Sequence, residues 1–485
     1  MQIGIDTNRI EYRNDIAEEI RLFYPLAEIV RMEDNASADA VLSVTLHETG
    51  ELCCALSASF GAESTACTFV IPDARLLTVK KHEKRQIKLA AYRLLRRTCH
   101  AVIPPWGSLT GIRPTKLFRE LTNECGVAEA RRIFHETFDV SDAKIDLAET
   151  ICRVQRPYIE AVQPDAFSVY VSIPFCRTRC LYCSFASEVT RNDDTLAQYL
   201  AALKRDISDG AHMMREKNAE LRSLYIGGGT PTVLSADQLD DLIGHTLSEY
   251  GGYGLEFTVE AGRPDTITAE KLAVMKKHGV TRISINPQTM NDRTLHRIGR
   301  AHSSEETIRA FETARGLGFD FINMDVIAGL PGETADDMRY TYEQIVKRSP
   351  DNLTVHALAI KRSSLLKQQL DTYPLPDVAE AAQMIADGYE AAKAMDMVPY
   401  YMYRQKYMTG NLENVGYART NRIGIYNIDM MEETTSIVSH GAGSMTKRVF
   451  GSENRIERLP SPKDVATYRE KLDALFLSKR KLFSD

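Results

Sequence analysis

The sequence is poor in cysteine and has a single tryptophan. Nine cysteines are spread over 485 residues. An odd number of cysteines in so long a chain does not make the disulfide framework that stabilises small secreted domains. Three of them, Cys176, Cys180 and Cys183, nevertheless fall within eight residues. This local cluster indicates a ligand-binding role, whereas the other six cysteines are scattered and are interpreted as packed thiols.

Long apolar segments are also missing. No stretch approaches the roughly 18 apolar residues that a membrane span needs. The first segment, MQIGIDTNRIEYRND, carries charges where a signal peptide has its apolar core. We therefore expect a cytoplasmic protein without a membrane span.

The chain has no excess of positive charge. Its formal net charge is −6 at pH 7, so composition alone makes a nucleic acid an unexpected partner. Residues 80–97 are the exception, because they are strongly basic. Within them Ile87, Leu89, Leu94 and Leu95 predict an amphipathic helix with a solvated basic face. A polyanion-binding surface is the alternative interpretation.

A chain of this length is too long for a single core of ordinary size. Residues 1–160 contain apolar runs separated by turns, which predicts an α+β domain of unknown role with a small antiparallel sheet. Residues 165–365 alternate between short apolar and longer helical segments, which predicts six β/α units. Residues 366–485 are expected to cover the substrate. The predicted fold class is α/β, a partial (β/α)6 barrel with an N-terminal α+β domain and a C-terminal mostly helical region.

The predicted barrel strands end at residues suited to a functional site. Cys176, Gly228, Glu260, Gln288 and Asp325 lie at or just beyond the ends of five of these strands. In β/α barrels the C-terminal ends of the strands carry the chemistry. A functional site is therefore expected at this end of the barrel.

The spacing C-x3-C-x2-C limits what the three cysteines can hold. A structural zinc site needs four ligands, usually as two pairs well apart in sequence, and no second pair follows at a suitable distance. A four-iron cluster is ordinarily held by four thiolates, so three thiolates leave one iron open to a small molecule. We favour an open iron–sulfur site, with structural zinc as the alternative.

The string YVSIPFCRTRCLYCSF, residues 170–185, resembles the radical S-adenosylmethionine (radical SAM) superfamily and, within it, the oxygen-independent coproporphyrinogen III oxidase family. The resemblance covers residues 165–450. It implies that the three cysteines bind a [4Fe–4S] cluster, and that the open iron takes the amino and carboxylate groups of S-adenosyl-L-methionine (SAM). It implies further that reduction of the cluster cleaves SAM to a 5′-deoxyadenosyl radical.

The same resemblance implies ten cofactor-binding residues. The segment YIGGGTPTVL (225–234) corresponds to the glycine motif of the family, and VEAGRPDTIT (259–268) supplies a carboxylate for the ribose. For Tyr170, Tyr182 and Ala359, ordinary packing is the alternative. The full set is Tyr170, Tyr182, Gly228, Gly229, Thr230, Glu260, Gln288, Arg300, Asp325 and Ala359.

Three features depart from the family pattern. Phe185 stands where coproporphyrinogen dehydrogenases commonly have a fourth cysteine, and the haem chaperones of the family also have phenylalanine there. Ser172 replaces a usual histidine. The His-Asn-x-x-Tyr-Trp motif of the chaperones is missing, since the nearest string is NLENVGYA (411–418). The first departure leaves the substrate open, and the third argues against a close copy of the chaperones.

The resemblance implies a radical SAM oxidoreductase of porphyrin and haem biosynthesis. The expected reaction is oxidative decarboxylation of coproporphyrinogen III to protoporphyrinogen IX without oxygen. The alternatives are a haem-binding, chaperone-like protein, and a radical SAM methyltransferase or haem-degrading enzyme. Expected partners are the tetrapyrrole, either coproporphyrinogen III or haem, and an electron donor such as flavodoxin or ferredoxin.

A tetracarboxylate substrate requires basic side chains near the mouth of the barrel. Arg404 is the leading candidate because it lies among tyrosines, in YYMYRQKY, and because its planar guanidinium pairs with a carboxylate at two points. An exposed arginine on an aromatic packing segment is the alternative. The other candidates are Arg113, Lys116, Lys361 and Arg362.

Overall fold

A computed structural model describes residues 1–25, 27–32, 37–72, 74–99, 103–185, 187–189, 193–361, 363–405, 409–451 and 455–484. The chain divides into two compact units. The first comprises residues 1–149 and 410–412, and the second comprises residues 150–409 and 413–485.

The first unit contains a five-stranded sheet of strand order β2-β1-β3-β4-β5. The strands are β1 (Gln2–Thr7), β2 (Glu28–Arg31), β3 (Ala40–Gly50), β4 (Cys53–Phe60) and β5 (Glu63–Val70). Strands β3, β4 and β5 are antiparallel, but β1 is parallel to both β2 and β3. The prediction of an antiparallel sheet is wrong for β1 and β2, because helix α1 (Arg13–Phe23) joins them as a crossover.

Helices complete this part of the chain. They are α2 (Leu76–Thr98), α3 (Pro114–Cys125), α4 (Val127–Arg132) and α5 (Asp142–Glu160). Helix α2 packs on strands β3, β4 and β5. Its residues Ile87, Leu89, Leu94 and Leu95 are all buried, which confirms the amphipathic helix predicted for residues 80–97.

The second unit contains an eleven-stranded sheet in which seven successive neighbours are parallel: one strand of the C-terminal region, described below, and six strands of the barrel. These six are β6 (Ala166–Ile173), β9 (Glu220–Gly228), β10 (Glu256–Glu260), β11 (Arg282–Ser284), β12 (Ile322–Ala328) and β13 (Asn352–Ala357). They are the six predicted barrel strands, and the sheet they form is open, as in a partial barrel. Strands β7 (Phe175–Cys176) and β8 (Glu188–Val189) pair separately after β6.

Helices connect the parallel strands. They are α6 (Asp193–Glu216), α7 (Ala236–Tyr250), α8 (Ala269–Lys277), α9 (Asp292–Arg297), α10 (Ser304–Gly316) and α11 (Ala335–Arg348). The alternation in the sequence predicts helices at 193–216, 235–249, 268–278, 303–317 and 335–348, and these match α6, α7, α8, α10 and α11 to within one residue at each end. Within the described parts of the chain, no helix is long and apolar enough to cross a membrane.

Capping side chains fix where two of these helices begin. Ser303 accepts a hydrogen bond from the Glu306 amide, and the Glu306 carboxylate accepts one from the Ser303 amide. Thr334 and Asp337 make the same reciprocal pair at the start of α11. Such capping boxes satisfy amides that have no partner within the helix. The loops that leave the C-terminal ends of the strands are thereby held in place.

The C-terminal region, residues 366–485, adds strands to both sides of the barrel sheet. Beyond β13 lie β15 (Asn414–Arg419) and β14 (Met397–Tyr403), and beyond β6 lie β16 (Ser436–His440), β17 (Met445–Phe450) and β18 (Arg455–Pro460). The helices here are α12 (Leu365–Gln368), α13 (Val378–Ala394), α14 (Ile425–Glu432), α15 (Val465–Glu470) and α16 (Leu472–Phe483). The prediction of a mostly helical region omits these five strands, because short strands that extend an existing sheet depend on their neighbours more than on local sequence.

Candidate functional site

The three clustered cysteines lie on the loop that follows β6. Cys176 ends the short strand β7, and Cys180 and Cys183 follow it. Cys180 is buried, whereas Cys176 and Cys183 are half-buried. All three line the same cavity. The loop therefore presents three thiols to one space at the C-terminal end of the first barrel strand.

Hydrogen bonds tie this cysteine loop to the barrel. The Leu181 amide donates to the Ile298 carbonyl at 2.9 Å, and the Leu366 amide donates to the Leu181 carbonyl at 2.9 Å. The Thr178 hydroxyl donates to the Gly299 carbonyl at 3.0 Å. Because these hydrogen-bond partners lie on separate segments of the chain, they fix the position of the loop and of its three thiols.

The glycine motif packs directly against the cysteine loop. The Gly229 amide donates to the Ile173 carbonyl at 2.8 Å, and the Thr230 amide donates to the Phe175 carbonyl at 2.8 Å. A Cβ atom on Gly229 would lie 2.5 Å from the Phe175 oxygen and 3.0 Å from the Cys176 sulfur. From the sequence, this motif is expected to let a ligand come close to the backbone. The structure adds that Gly229 permits the close approach of the loop itself.

A cavity of about 690 Å³ occupies this end of the barrel, a size within the range of about 300–1,000 Å³ for small-molecule sites. It also extends along inward-facing side chains of the strands to Glu256 and Arg282, the first residues of β10 and β11. Its wall includes the three cysteines and every predicted cofactor residue. The latter are Tyr170, Tyr182, Gly228, Gly229, Thr230, Glu260, Gln288, Arg300, Asp325 and Ala359.

Glu260, the last residue of β10, is held by a tyrosine. The Tyr225 hydroxyl donates to Glu260 Oε1 at 2.5 Å. Burial raises the pKa of Glu260 to about 7, although the hydrogen bond from Tyr225 acts in the opposite direction. The carboxylate can accept hydrogen bonds from a ligand, and its protonation changes close to neutral pH.

Asp325 lies on β12 and faces the same cavity. Its Oδ1 atom accepts a hydrogen bond from Asn323 Nδ2 at 2.7 Å, and its Oδ2 atom lies 3.7 Å from His356 Nε2. Burial acts to raise the pKa of Asp325, but His356 and Asn323 hold it below its ordinary value. Asp325 therefore remains ionised and can pair with a cationic or hydrogen-bond-donating group.

Arg300 brings a positive charge to the cysteine loop. Its Nη1 atom donates to the Asn286 carbonyl at 2.8 Å, and its Nη2 atom donates to the Tyr182 hydroxyl at 3.3 Å. Its guanidinium also interacts with Cys180. The cysteine loop therefore has a buried positive charge beside Cys180.

The structure places Arg404 away from the cavity wall. Arg404 is 2% exposed and follows Tyr403, which does line the cavity. Successive side chains of an extended segment point to opposite faces, so the residue after Tyr403 is directed elsewhere. This position counts against the carboxylate clamp that the sequence predicts for Arg404.

Lys361 is the basic candidate that lines the cavity. Its side chain is half-buried, and burial lowers its pKa. Arg113 and Lys116 belong to the other compact unit, and Arg362 lies outside the described residues. Lys361 is thus the best-placed member of the predicted set.

Sequence analysis missed several residues of the cavity wall. His356 alternates with Thr354 on β13, a period of two that could have indicated an inward-facing position. Asn414 is 1% exposed, and its Oδ1 atom accepts a hydrogen bond from the Ala357 amide at 2.9 Å. Tyr426 lies in the first turn of α14. Asn414 lies within NLENVGYA, the string compared above with the chaperone motif, whereas no motif marked Tyr426.

Two of the departures from the family pattern, Ser172 and Phe185, lie near the cysteine loop but have different surroundings. Ser172 is 4% exposed, and its hydroxyl donates to the Ala442 carbonyl at 2.9 Å. The Ser172 side chain therefore bonds to the segment after β16. Phe185, by contrast, lines the cavity and is 71% exposed. Of the two, only Phe185 can contact a large ligand at the mouth.

Among the described residues, no three His, Cys, Asp or Glu side chains are grouped so as to hold a single metal ion. A structural zinc ion draws its ligands around one point. An iron–sulfur cluster carries its thiolates on different irons, so its cysteines need not meet at a point. The three separate thiols of the loop fit a cluster.

Comparison with known proteins decides the family. The model of the Radical SAM superfamily matches residues 170–345. The chain is 35% identical over 461 residues to the oxygen-independent coproporphyrinogen-III oxidase-like protein HemZ of Bacillus subtilis (strain 168). The aligned region covers 93% of this chain and 91% of that protein. The chain belongs to the radical SAM superfamily and to its oxygen-independent coproporphyrinogen III oxidase-like family.

Two further similarities are shorter or more distant. The chain is 32% identical over 232 residues to the heme chaperone HemW of Bacillus subtilis (strain 168), across 46% of this chain and 60% of the chaperone. The structure of coproporphyrinogen III oxidase (HemN) from Escherichia coli is similar with a TM-score of 0.53 and 20% identity, across 67% of this chain and 73% of that chain. The similarity to the HemN structure confirms the fold.

The cofactors of this radical SAM protein are a [4Fe–4S] cluster and SAM, and the cavity fits them. In the part of the chain that the structure describes, Gln288 Oε1 and Arg300 Nε are buried without a hydrogen-bond partner. Buried polar atoms ordinarily have partners, so a polar ligand on this wall would supply them. Gln288 also has a φ of 67°, a strained conformation for a residue other than glycine, and such strain clusters at binding sites.

Proposed function

We propose that this protein is an oxidoreductase that decarboxylates coproporphyrinogen III to protoporphyrinogen IX without oxygen. The observation that carries the proposal is the presence of Lys361 in the same cavity as the three thiols. Within the described residues, no carboxylate pairs with the Lys361 ammonium. An unpaired cation in a partly desolvated position favours an anionic ligand, and coproporphyrinogen III carries four carboxylates.

We assign the cluster to Cys176, Cys180 and Cys183. For SAM, Glu260 suits the ribose hydroxyls because a carboxylate accepts from two donors, and ionised Asp325 suits a donor group elsewhere on the molecule. Gln288 and Arg300 have the unpartnered atoms described above. The remaining proposed SAM contacts are Tyr170, Tyr182, Gly228, Gly229, Thr230 and Ala359.

When bound, the cluster and SAM supply a radical that removes a hydrogen atom from a propionate side chain. The protein's own task is to orient that side chain, and Lys361 can do so by pairing with its carboxylate. Loss of carbon dioxide and one electron then leaves a vinyl group, so an electron acceptor is also required. We propose flavodoxin or ferredoxin as the donor that reduces the cluster.

A haem-carrying function is the second candidate. The similarity to the chaperone HemW supports it, although that similarity spans 46% of the chain. The similarity to HemZ spans 93% of it, and therefore favours the first candidate. The third candidate is a radical SAM methyltransferase or haem-degrading enzyme, and analysis of the product distinguishes it from the first two.

Anaerobic incubation of the reconstituted protein with SAM, reductant and coproporphyrinogen III tests the proposal. We expect the mass of protoporphyrinogen IX, or of its oxidised form, to appear with time. A parallel titration with haem measures carrier function. Absence of the vinyl product together with stoichiometric haem retention would replace the proposal with the carrier function, and a methylated or opened tetrapyrrole would replace it with the third.

A further inference from the structure

Tyr225 and Glu260 form a close pair on neighbouring strands. The phenol of Tyr225, on β9, donates to Glu260 Oε1 at 2.5 Å, and both residues line the cavity. A Cβ atom on Gly227 would lie 2.8 Å from Tyr225 Cε1 and 3.0 Å from Glu260 Cδ. The first glycine of the GGG motif therefore makes room for this pair, a role that the motif alone does not reveal.

The ring of Tyr225 packs in a cluster with two other tyrosines. Its centroid lies 4.4 Å from that of Tyr426 and 5.9 Å from that of Tyr170, and both pairs are stacked with an interplanar angle of 25°. The centroids of Tyr170 and Tyr426 are themselves 6.4 Å apart, so the three rings form one packed cluster, and this packing opposes movement of Tyr225 away from Glu260. The hydroxyl is therefore a rigid donor to one carboxylate oxygen.

Other charged and polar groups face Glu260 from the neighbouring elements. Asp325 on β12 disfavours its charged form, whereas His356 on β13 and the Gly228 amide on β9 favour it. The phenols of Tyr170 on β6 and Tyr426 on α14 also interact electrostatically with the Glu260 carboxylate. Among these groups, Tyr225 is the side chain that hydrogen-bonds to the carboxylate in the described structure.

We propose that Tyr225 is a positioning residue that holds Glu260 Oε1 and thereby directs the other carboxylate oxygen to the ribose of SAM. This inference rests on the assignment of Glu260 to the ribose. Loss of the hydroxyl would let the carboxylate rotate. It would also remove a donor that favours the charged form, which hydrogen-bonds to the two ribose hydroxyls.

The test is the pH dependence of SAM binding, measured anaerobically by calorimetry on reconstituted protein between pH 6 and pH 9. In the wild type we expect SAM affinity to fall as the pH drops through about 7, because Glu260 becomes protonated. Tyr225→Phe should move this midpoint upward by about one unit and weaken binding roughly 10-fold at neutral pH, as expected for loss of one hydrogen bond to a charged group.

Tyr342→Phe is the matched control, because its buried hydroxyl donates to the Met384 carbonyl outside this cavity. It should leave the midpoint and the affinity unchanged. Glu260→Gln should remove the midpoint, and adding Tyr225→Phe to it should leave the flat profile unchanged. Superimposable profiles for the wild type and Tyr225→Phe would overturn the inference. Failure of the wild type to bind SAM would instead contradict the cofactor assignment, so the two failures are distinguishable.

Discussion

Lys479 of α16 donates a 2.5 Å hydrogen bond to Asp206 of α6, and both side chains are fully buried. Asp206 also accepts from the Tyr468 hydroxyl at 2.7 Å and from the Gly441 amide at 3.1 Å. His440 Nδ1 lies 3.1 Å from the same carboxylate. This network joins the last helix of the chain to the barrel helix that follows the cysteine loop.

Lys479→Met should strongly destabilise the second unit. Burial acts to raise the pKa of Asp206, but Lys479 and His440 hold it well below its ordinary value. Removing the ammonium leaves a buried carboxylate without its main partner, which costs about 3–5 kcal/mol. The free energy of unfolding from urea titration measures the effect.

The neighbouring residue supplies the control for this prediction. Arg480 pairs with Asp209 at 3.1 Å and with Glu216 at 3.2 Å, but all three side chains are partly exposed. Such surface pairs contribute about 0–1 kcal/mol, so Arg480→Met should have a small effect. Equal losses in the two variants would show that the buried pair has no special role.

His440 should make the stability of the protein depend on pH. Burial and the Lys479 charge lower its pKa in the native state, against the opposing effect of Asp206. The unfolded chain then binds a proton that the native state does not, so the free energy of unfolding falls as the pH drops below about 6.5. Asp209 and Tyr250 are the other titratable groups beside it.

Urea titrations at several pH values between 5 and 7.5 measure this dependence. His440→Gln should reduce the slope by up to about 1.4 kcal/mol per pH unit. His212 on α6 is more than half exposed, and His212→Gln is the control. A slope that persists in full after His440→Gln would assign the dependence to other groups.

Gly229→Ala should impair cluster assembly. The added methyl group would lie 2.5 Å from the Phe175 carbonyl oxygen, closer than real Cβ atoms come, and 3.0 Å from the Cys176 sulfur, which is a tight contact. We expect iron and sulfide content after reconstitution to fall by more than half while the helical circular dichroism signal persists. Gly316 ends α10 with open space around it, so Gly316→Ala should retain the wild-type iron content.

Lys361→Met should raise the KM for coproporphyrinogen III. The loss of one charge-assisted hydrogen bond, worth about 1.5–3 kcal/mol, corresponds to a rise of roughly 10- to 150-fold. Lys361→Arg should restore part of the affinity. SAM binding and iron content should not change in either variant, and an unchanged KM in Lys361→Met would leave the substrate carboxylates without this partner.

The alternation of apolar strands and helices made the barrel predictable from the sequence. Each strand is a short run rich in buried residues, and four of the helices, α7, α8, α10 and α11, begin at a capping serine or threonine, so local signals and tertiary structure agree. The cysteine spacing indicated an open iron–sulfur site for a similar reason, because thiolate number decides which irons remain free.

The C-terminal region was harder to predict, because its strands and side-chain directions depend on distant neighbours. Strand β14 changes register between Pro399 and Tyr401, and such a bulge shifts which side chains share a face. A simple alternation therefore could not tell that Tyr403 lines the cavity while Arg404 does not. Asn414 likewise reaches the wall only because β15 pairs with β13.

The most direct test of the account is release of labelled carbon dioxide from coproporphyrinogen III labelled in its propionate carboxyl groups. The assay uses the reconstituted protein, SAM and a reductant without oxygen, with Cys176→Ala as the inactive control. We predict that two labelled carbon dioxide molecules are released for each protoporphyrinogen IX formed, and that the control releases none. Failure of the wild type to release label, in a sample with a full cluster that cleaves SAM, would contradict the proposed decarboxylation.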